Sequence, residues 1–246
     1  MAAPTERAQK QSLVLPQKGT RAEALALILR PLQHGDGFRH GALGAPGYGK
    51  THHIRELIKQ LIAWNVVDLV VTHDVKGATA EFEGTEVAYV GDIRGQIAAI
   101  ENTRHVVLRG DPQRDQPCAA EDAATHAKQL ARDGLRVVLN VAELDECLSE
   151  GGRSFEAPSV RWFSSQGRKL GASLTWTTQQ PKRTPDEIFD QSTSISYFHL
   201  DARSSNYLGN TLMLDDRMVE ILPRLAHGEY VLGIPGAEWN GHVYRD

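Results

Sequence analysis

Cysteine is scarce in this chain: Cys118 and Cys147 are the only two among 246 residues. Two thiols are too few for a disulfide framework, and they are what a reducing compartment tolerates. Long apolar runs are missing too. No stretch approaches the roughly 18 residues of a membrane span, and the polar opening Met1 to Lys10 lacks the apolar segment of a signal peptide. A soluble, cytoplasmic protein is expected. Excess positive charge is also absent: 27 Lys and Arg against 31 Asp and Glu give a formal net charge of -4. A broadly basic surface is thereby excluded, so a nucleic-acid partner would have to be met by a few basic groups at a confined place such as a narrow channel. The ten histidines show no metal-ligand spacing, and no Cys-x-x-Cys accompanies them. His52 and His53 open a helix and read as solvated.

What the chain does have is Gly44-Ala45-Pro46-Gly47-Tyr48-Gly49-Lys50-Thr51, which satisfies the G-x-x-x-x-G-K-[ST] pattern of a phosphate-binding loop. Its context agrees. Phe38 to Leu43 reads as a strand, and Ile54, Leu57, Ile58, Leu61 and Ile62 recur at helical spacing after it. Glycines let backbone N–H groups turn inward around a polyphosphate, and the helix start adds its positive end. Lys50, expected to stand exposed in the loop, can reach the β and γ phosphates, and the Thr51 hydroxyl can hold Mg²⁺. A nucleoside triphosphate is the expected ligand. A guanine-reading Asn-Lys-x-Asp does not occur, so ATP is the default.

Residues 1 to 20 read as an extended or disordered arm, with Leu13, Val14 and Leu15 its one apolar cluster. That cluster is either without a role or docks on a neighbouring subunit. Residues 21 to 246 are expected to form a single domain. A helix is predicted from Arg21 to Leu32, stopping near Pro31. Further strands are predicted at 66–72, 87–90, 105–108, 137–144, 174–178, 195–200 and 229–232. Helices are predicted at 93–100, 119–130, 159–170 and 214–225. Strands alternating with helices mean an α/β fold with a mainly parallel sheet.

Two more places carry chemistry. The apolar strand from Val137 runs into Asp145-Glu146, carboxylates at the sheet edge where open α/β folds bind ligands. Asp145 would hold the Mg²⁺ shell and Glu146 would polarise the attacking water. Asn140 interrupts that strand and leaves its register open, so Glu143 is a rival. The next strand ends in Thr178-Gln179-Gln180-Pro181, where Gln179 could bond the γ phosphate or the water.

Asp74-Val75-Lys76-Gly77 resembles the Asp-Pro-Lys-Gly that ends the second strand of FtsK-type translocases. Gly167-Arg168-Lys169-Leu170-Gly171-Ala172 followed by Thr178-Gln179-Gln180-Pro181 resembles their Arg-x-x-Gly and Thr-Gln-Arg-Pro signatures. In order with the loop and the acidic pair, these motifs resemble the FtsK–HerA superfamily of DNA-translocating ATPases over about Phe38 to Leu200. The chain departs from that pattern at Val75 and Gln180. In its compactness it is similar to genome-packaging ATPases of tailless, membrane-containing DNA viruses. The resemblance implies a RecA-like P-loop NTPase core and a homo-hexameric ring on double-stranded DNA, with capsid or membrane vertex proteins as further partners and association with a virion packaging vertex. It also implies an arginine reaching a neighbour's γ phosphate, Arg168 first by position and Arg161 second. For DNA contact the candidates are Arg153 in the Ser149 to Ser154 loop, then Lys182 with Arg183, then Arg109 with Arg114. A ring repeats each of them around a channel, which lets an acidic protein present positive charge to phosphates. The rivals are a HerA-type cellular translocase or helicase, and a non-motor ATP-binding regulator, which would not be expected to carry the acidic pair.

Overall fold

A computed structural model describes residues 16–74, 85–88, 104–109, 116–147 and 157–246, with backbone alone at 85–88, 109, 116–119, 146 and 147. The strands are β1 (Gln17–Lys18), β2 (Arg39–Leu43), β3 (Leu69–Asp74), β4 (Thr85–Ala88), β5 (His105–Arg109), β6 (Val137–Ala142), β7 (Ser173–Thr178), β8 (Ser194–Tyr197), β9 (Glu229–Gly233) and β10 (His242–Arg245). They form one sheet in the order β1-β10-β9-β8-β2-β7-β6-β3-β5-β4. From β8 to β4 the strands are parallel; β9 runs against both of its neighbours. The helices are α1 (Arg21–Ile28), α2 (Lys50–Ala63), α3 (Gln116–Arg132), α4 (Pro158–Ser165), α5 (Asp186–Gln191), α6 (Ala202–Leu212) and α7 (Asp216–Ile221). The α/β architecture with a mainly parallel sheet is the one expected from the alternation of patterns.

The central strands β2, β7, β6 and β3 are buried along their whole length because both faces are covered. Side chains alternate along each strand. Val71, Val106, Leu139 and Leu174 enter the core that includes α3 and α4 residues, whereas Val70, Val107 and Val138 enter the one that includes α1 and α2 residues. Gly41 is dictated by this packing, since a Cβ there would run into the Trp176 ring of the adjacent β7.

Several expected boundaries move. Thr20 caps α1 through a capping box, its hydroxyl accepting from Glu23 N at 3.3 Å and its N–H donating to the Glu23 carboxylate at 2.7 Å. The helix then stops at Ile28, and Pro31 lies in a separate 3-10 turn, Arg30–His34. The helix predicted at 159–170 breaks at Gln166 into α4 and a 3-10 turn, Gly167–Leu170. The one predicted at 214–225 is α7 plus the turn Leu222–Arg224, which carries Pro223. Of the expected arm, Gln17 and Lys18 pair with His242 and Val243 as β1, while residues 1–15 lie outside the described residues. The helix predicted at 93–100 also lies outside them. Among the described residues no helix is long and apolar enough to cross a membrane.

Asn140 does not interrupt β6. It is fully buried, its amide donating to Thr72 Oγ1 at 3.2 Å and its carbonyl accepting from Thr175 Oγ1 at 2.9 Å. Thr72 Oγ1 lies 2.7 Å from His105 Nε2, so a polar thread crosses β5, β3, β6 and β7 inside the core. A buried amide is tolerated when each of its groups finds a partner, and here those partners fix the strand register that the sequence left open.

Candidate functional site

The phosphate loop leaves the C-terminal end of β2. Its first two N–H groups are engaged by neighbours: Gly44 N donates to Thr178 O at 3.3 Å and Ala45 N to His199 O at 2.8 Å. A side chain at Gly44 would come within 2.7 Å of Phe198 Cβ, so only glycine lets the loop pass. Gly49, with φ of 103°, takes a left-handed conformation that only glycine adopts cheaply and starts α2 from it. Tyr48 stacks on His199, with ring centroids 4.3 Å apart and planes 10° from parallel.

Lys50 is the first residue of α2 and is 5 % exposed, in contrast to the exposed lysine expected from the sequence. Its ammonium donates to Ala45 O at 2.9 Å, across the loop it belongs to. Thr51 follows and is half-buried. A helix N-terminus, a glycine-rich turn and an ammonium thus meet in one loop, the chemistry that attracts a polyphosphate. Among the described residues no cluster of three His, Cys, Asp or Glu side chains could hold a metal ion by itself. A hydroxyl and a carboxylate suit Mg²⁺, which takes few protein oxygens and relies on substrate phosphates and water.

β7 lies between the loop strand β2 and the acidic strand β6. Its last residues bind the acidic segment one by one. Thr177 Oγ1 accepts from Glu143 N at 2.9 Å, Thr178 Oγ1 donates to Asp145 at 2.8 Å, and Gln179 Nε2 donates to the Glu143 carboxylate at 2.5 Å. Glu143 has φ of 58°, a left-handed conformation that costs a non-glycine residue about 1–2 kcal/mol. Asp145 is 2 % exposed. Glu146 has its backbone in the 3-10 turn Leu144–Cys147, and its side chain lies outside the description. The loop, Gln179, Glu143 and Asp145 therefore converge at one edge of the sheet, tied through Thr178.

The basic candidates are spread more widely. Arg168 is exposed and paired with Asp36 at 2.7 Å; Arg161 is exposed and paired with Glu187 at 3.0 Å. The Arg168 carbonyl accepts from Gly37 N, which precedes β2, so Arg168 lies at the end of the strand opposite its own phosphate loop. Lys182 and Arg183 are exposed just beyond Gln179, with the Lys182 ammonium 5.5 Å from the centre of the Tyr207 ring. Arg153 and its loop, Arg114, the Arg109 side chain and the segment Val75-Lys76-Gly77 lie outside the described residues.

His53 corrects the reading of solvated histidines. It is 3 % exposed, because it continues the buried stripe of Leu57 and Leu61, and its Nδ1 lies 3.1 Å from both carboxylate oxygens of Asp246. That stripe was visible in the spacing; the acidic partner at the far end of the chain was not.

No protein-family model and no curated protein matches the sequence. Solved structures do resemble the fold. The genome packaging NTPase B204 of Sulfolobus turreted icosahedral virus 2, in complex with ATP-gammaS, superposes with a TM-score of 0.63 at 14% identity over 80% of this chain and 92% of that one. VirB4 of Thermoanaerobacter pseudethanolicus gives 0.65 at 11% identity over 85% and 89%. The bacterial conjugative coupling protein TrwB gives 0.58 at 10% identity over 84% and 83%. The fold is thus the P-loop NTPase fold that the sequence resemblance implied.

Proposed function

We propose that the chain is an ATP-hydrolysing motor that moves double-stranded DNA, in the form of a homo-hexameric genome-packaging ATPase. The observation that carries the hydrolytic part is the convergence of the loop, Gln179, Glu143 and Asp145 through Thr178 at one sheet edge. The DNA part rests on likeness of fold to a genome packaging NTPase and a conjugative coupling protein. In this reading Gly44 to Gly49 wrap the phosphates, Lys50 bonds the β and γ phosphates, and Thr51 with Asp145 holds Mg²⁺, which neutralises phosphate charge when bound. Gln179 orients the attacking water. A carboxylate takes the water's proton while the new P–O bond forms and the bond to the bridging oxygen of ADP breaks.

Two glutamates compete for that last role. Glu146 follows Asp145 directly; Glu143 accepts a hydrogen bond from Gln179, and that bond favours Glu143. Arg168, out of reach of its own loop and exposed, serves a neighbour's site. Arg153, Lys182 and Arg183 line the DNA path, and capsid or membrane vertex proteins bind the ring at a packaging vertex in the host cytoplasm.

The test is ATP hydrolysis with and without duplex DNA. Lys50→Ala should abolish it, and Glu143→Gln and Glu146→Gln, measured side by side, should differ, the base variant losing about 10²-fold or more while still binding ATP. Parent-like turnover by Lys50→Ala would remove the phosphate-loop reading. DNA affinity across a salt series should show a steep slope that flattens in Arg153→Ala or in Lys182→Ala with Arg183→Ala. A parent with neither DNA affinity nor DNA-stimulated hydrolysis would leave an ATPase that is not a DNA motor.

A further inference from the structure

Beneath the loop runs a buried polar chain that the hydrolytic site does not use. His53 Nδ1 faces the Asp246 carboxylate, and both side chains are 3 % exposed. His53 Nε2 lies 3.1 Å from His40 Nε2 and 3.1 Å from Ser196 Oγ, and His40 Nδ1 lies 2.9 Å from Ser194 Oγ. One assignment of protons satisfies the thread: Ser194 donates to His40 Nδ1, His40 Nε2–H to His53 Nε2, and His53 Nδ1–H to Asp246. The surroundings are aromatic, with the His53 ring 4.5 Å from that of Tyr230 and 5.6 Å from that of Phe198. Apolar side chains would fill such a place at lower desolvation cost, so stability alone does not account for the thread.

Its attachments say more. The Tyr48 carbonyl accepts from Gly228 N at 3.3 Å, the Gly228 carbonyl accepts from Asp246 N at 3.2 Å, and the Gly49 carbonyl accepts from His53 N at 2.9 Å. With the Asp246–His53 bond these close a circuit from loop to β9, to the residue after β10, to α2 and back to the loop. In a trans peptide the carbonyl of one residue and the N–H of the next point in opposite directions. Holding the Tyr48 and Gly49 carbonyls against Gly228 and the helix therefore aims the Gly49 and Lys50 N–H groups away from Gly228 and from the body of α2.

We infer that Asp246 and His53 are positioning residues for nucleotide: their buried bond holds the phosphate loop in the shape that presents the Gly49 and Lys50 N–H groups to phosphate oxygens. The inference rests on the phosphate-loop reading above and assigns that loop its support. The chain's contribution belongs to binding of the polyphosphate and not to the water-attack step, so its loss falls on affinity.

The experiment measures ATP KM, kcat and binding of a fluorescent ATP analogue for the full chain, Lys50→Ala, Asp246→Ala, Asp246→Asn and His53→Gln, with thermal melting of each. Asp246→Ala should raise KM and the dissociation constant about tenfold, the scale of one charge-assisted hydrogen bond, with kcat within about threefold of the parent. His53→Gln, whose amide replaces Nε2 and not the Nδ1 that faces the carboxylate, should raise KM as Asp246→Ala does. A merely structural role would lower the folded fraction and thus apparent kcat at unchanged KM, and that outcome overturns the inference, as does parent-like KM with parent-like kcat. If Asp246→Ala does not fold, Asp246→Asn decides by the same split: its amide oxygen still accepts from His53 Nδ1–H but without the charge, so KM should rise about threefold at parent-like kcat, and an unchanged KM overturns the inference. The two readings fail separately. A parent that binds no ATP, or Lys50→Ala that binds it normally, sinks the phosphate loop; Lys50→Ala failing while Asp246→Ala keeps the parent KM sinks this inference alone.

Discussion

Asn140→Ala tests whether the polar thread inside the sheet has energetic weight. The substitution removes two hydrogen bonds between fully buried groups, to Thr72 and from Thr175. Thr72 keeps His105 as a partner at 2.7 Å, so the stranded group is the Thr175 hydroxyl. Losing the first bond costs about 1 kcal/mol, and leaving a buried hydroxyl without an acceptor costs about 1–3 kcal/mol. Together these predict a loss of about 3 kcal/mol, a large share of the 5–15 kcal/mol typical of a folded domain. Urea unfolding followed by circular dichroism measures it, with the m-value unchanged. Adding Thr175→Val removes the stranded hydroxyl, so the double variant should be more stable than the sum of the singles by about 1 kcal/mol. If Asn140→Ala lay within about 0.5 kcal/mol of the parent, the reasoning that these bonds fix the β6 register would be refuted.

Two further outcomes are expected. Mixing inactive Lys50→Ala with inactive Arg168→Ala should restore some hydrolysis in shown mixed rings, because some interfaces then join an intact loop to an intact arginine; no recovery would remove Arg168 from the neighbour's site. The Arg168 substitution itself should hardly change stability, since an exposed ion pair such as that with Asp36 is worth about 0–1 kcal/mol. Stability should also fall on acidification. Burial lowers His73 from its ordinary 6.5 to about 4, and burial together with His53 holds His40 well below its ordinary value. Between pH 6.5 and 4 the unfolded chain binds the His73 proton and the folded chain does not, so stability present above that window is lost as pH drops through it, by about 3 kcal/mol for His73. Urea midpoints at pH 7, 5 and 4 report this; His73→Asn should make the decline shallower, and an equally steep decline would contradict the cause.

The parts legible from sequence are those whose signal is local. The loop is a contiguous motif, β3, β5 and β6 are largely apolar runs, and β7 joins Leu174 and Trp176 to strand-forming threonines. β1 and β10 left no such trace, because strands of two and four residues exist only by pairing with what lies beside them. The helices α5 and α6 were missed for a related reason: α6 buries only Ser205 and Leu208, too little for a clear periodic pattern. Asn140 misled because a polar residue in an apolar run looks like a break until its partners on two other strands are known. Glu143 was held as a rival, but its left-handed backbone and its bond to Gln179 depend on β7, distant in sequence. Asp246 carried no signal, since a lone acid near a surface strand gives no hint of a histidine beneath the loop.

The place of β7 between β2 and β6 has a mechanical consequence. Its ladders to both neighbours are continuous, from Arg39↔Leu174 to Leu43↔Thr178 on one side and from Val138↔Ser173 to Val141↔Trp176 on the other. The sheet cannot spread sideways there without breaking a whole row of bonds at once. In the proposed function a disturbance felt by Gln179 would pass to Glu143 through their hydrogen bond and lengthwise through the short segment that runs from Gln180 past Lys182 and Arg183 to Pro185 before α5 begins. That segment is stiffened by Pro181 and Pro185 and anchored by the Thr184 hydroxyl on Gln180 O and Thr178 Oγ1. If Gln179 reads the nucleotide as proposed, whatever Lys182 and Arg183 grip would move with that strand.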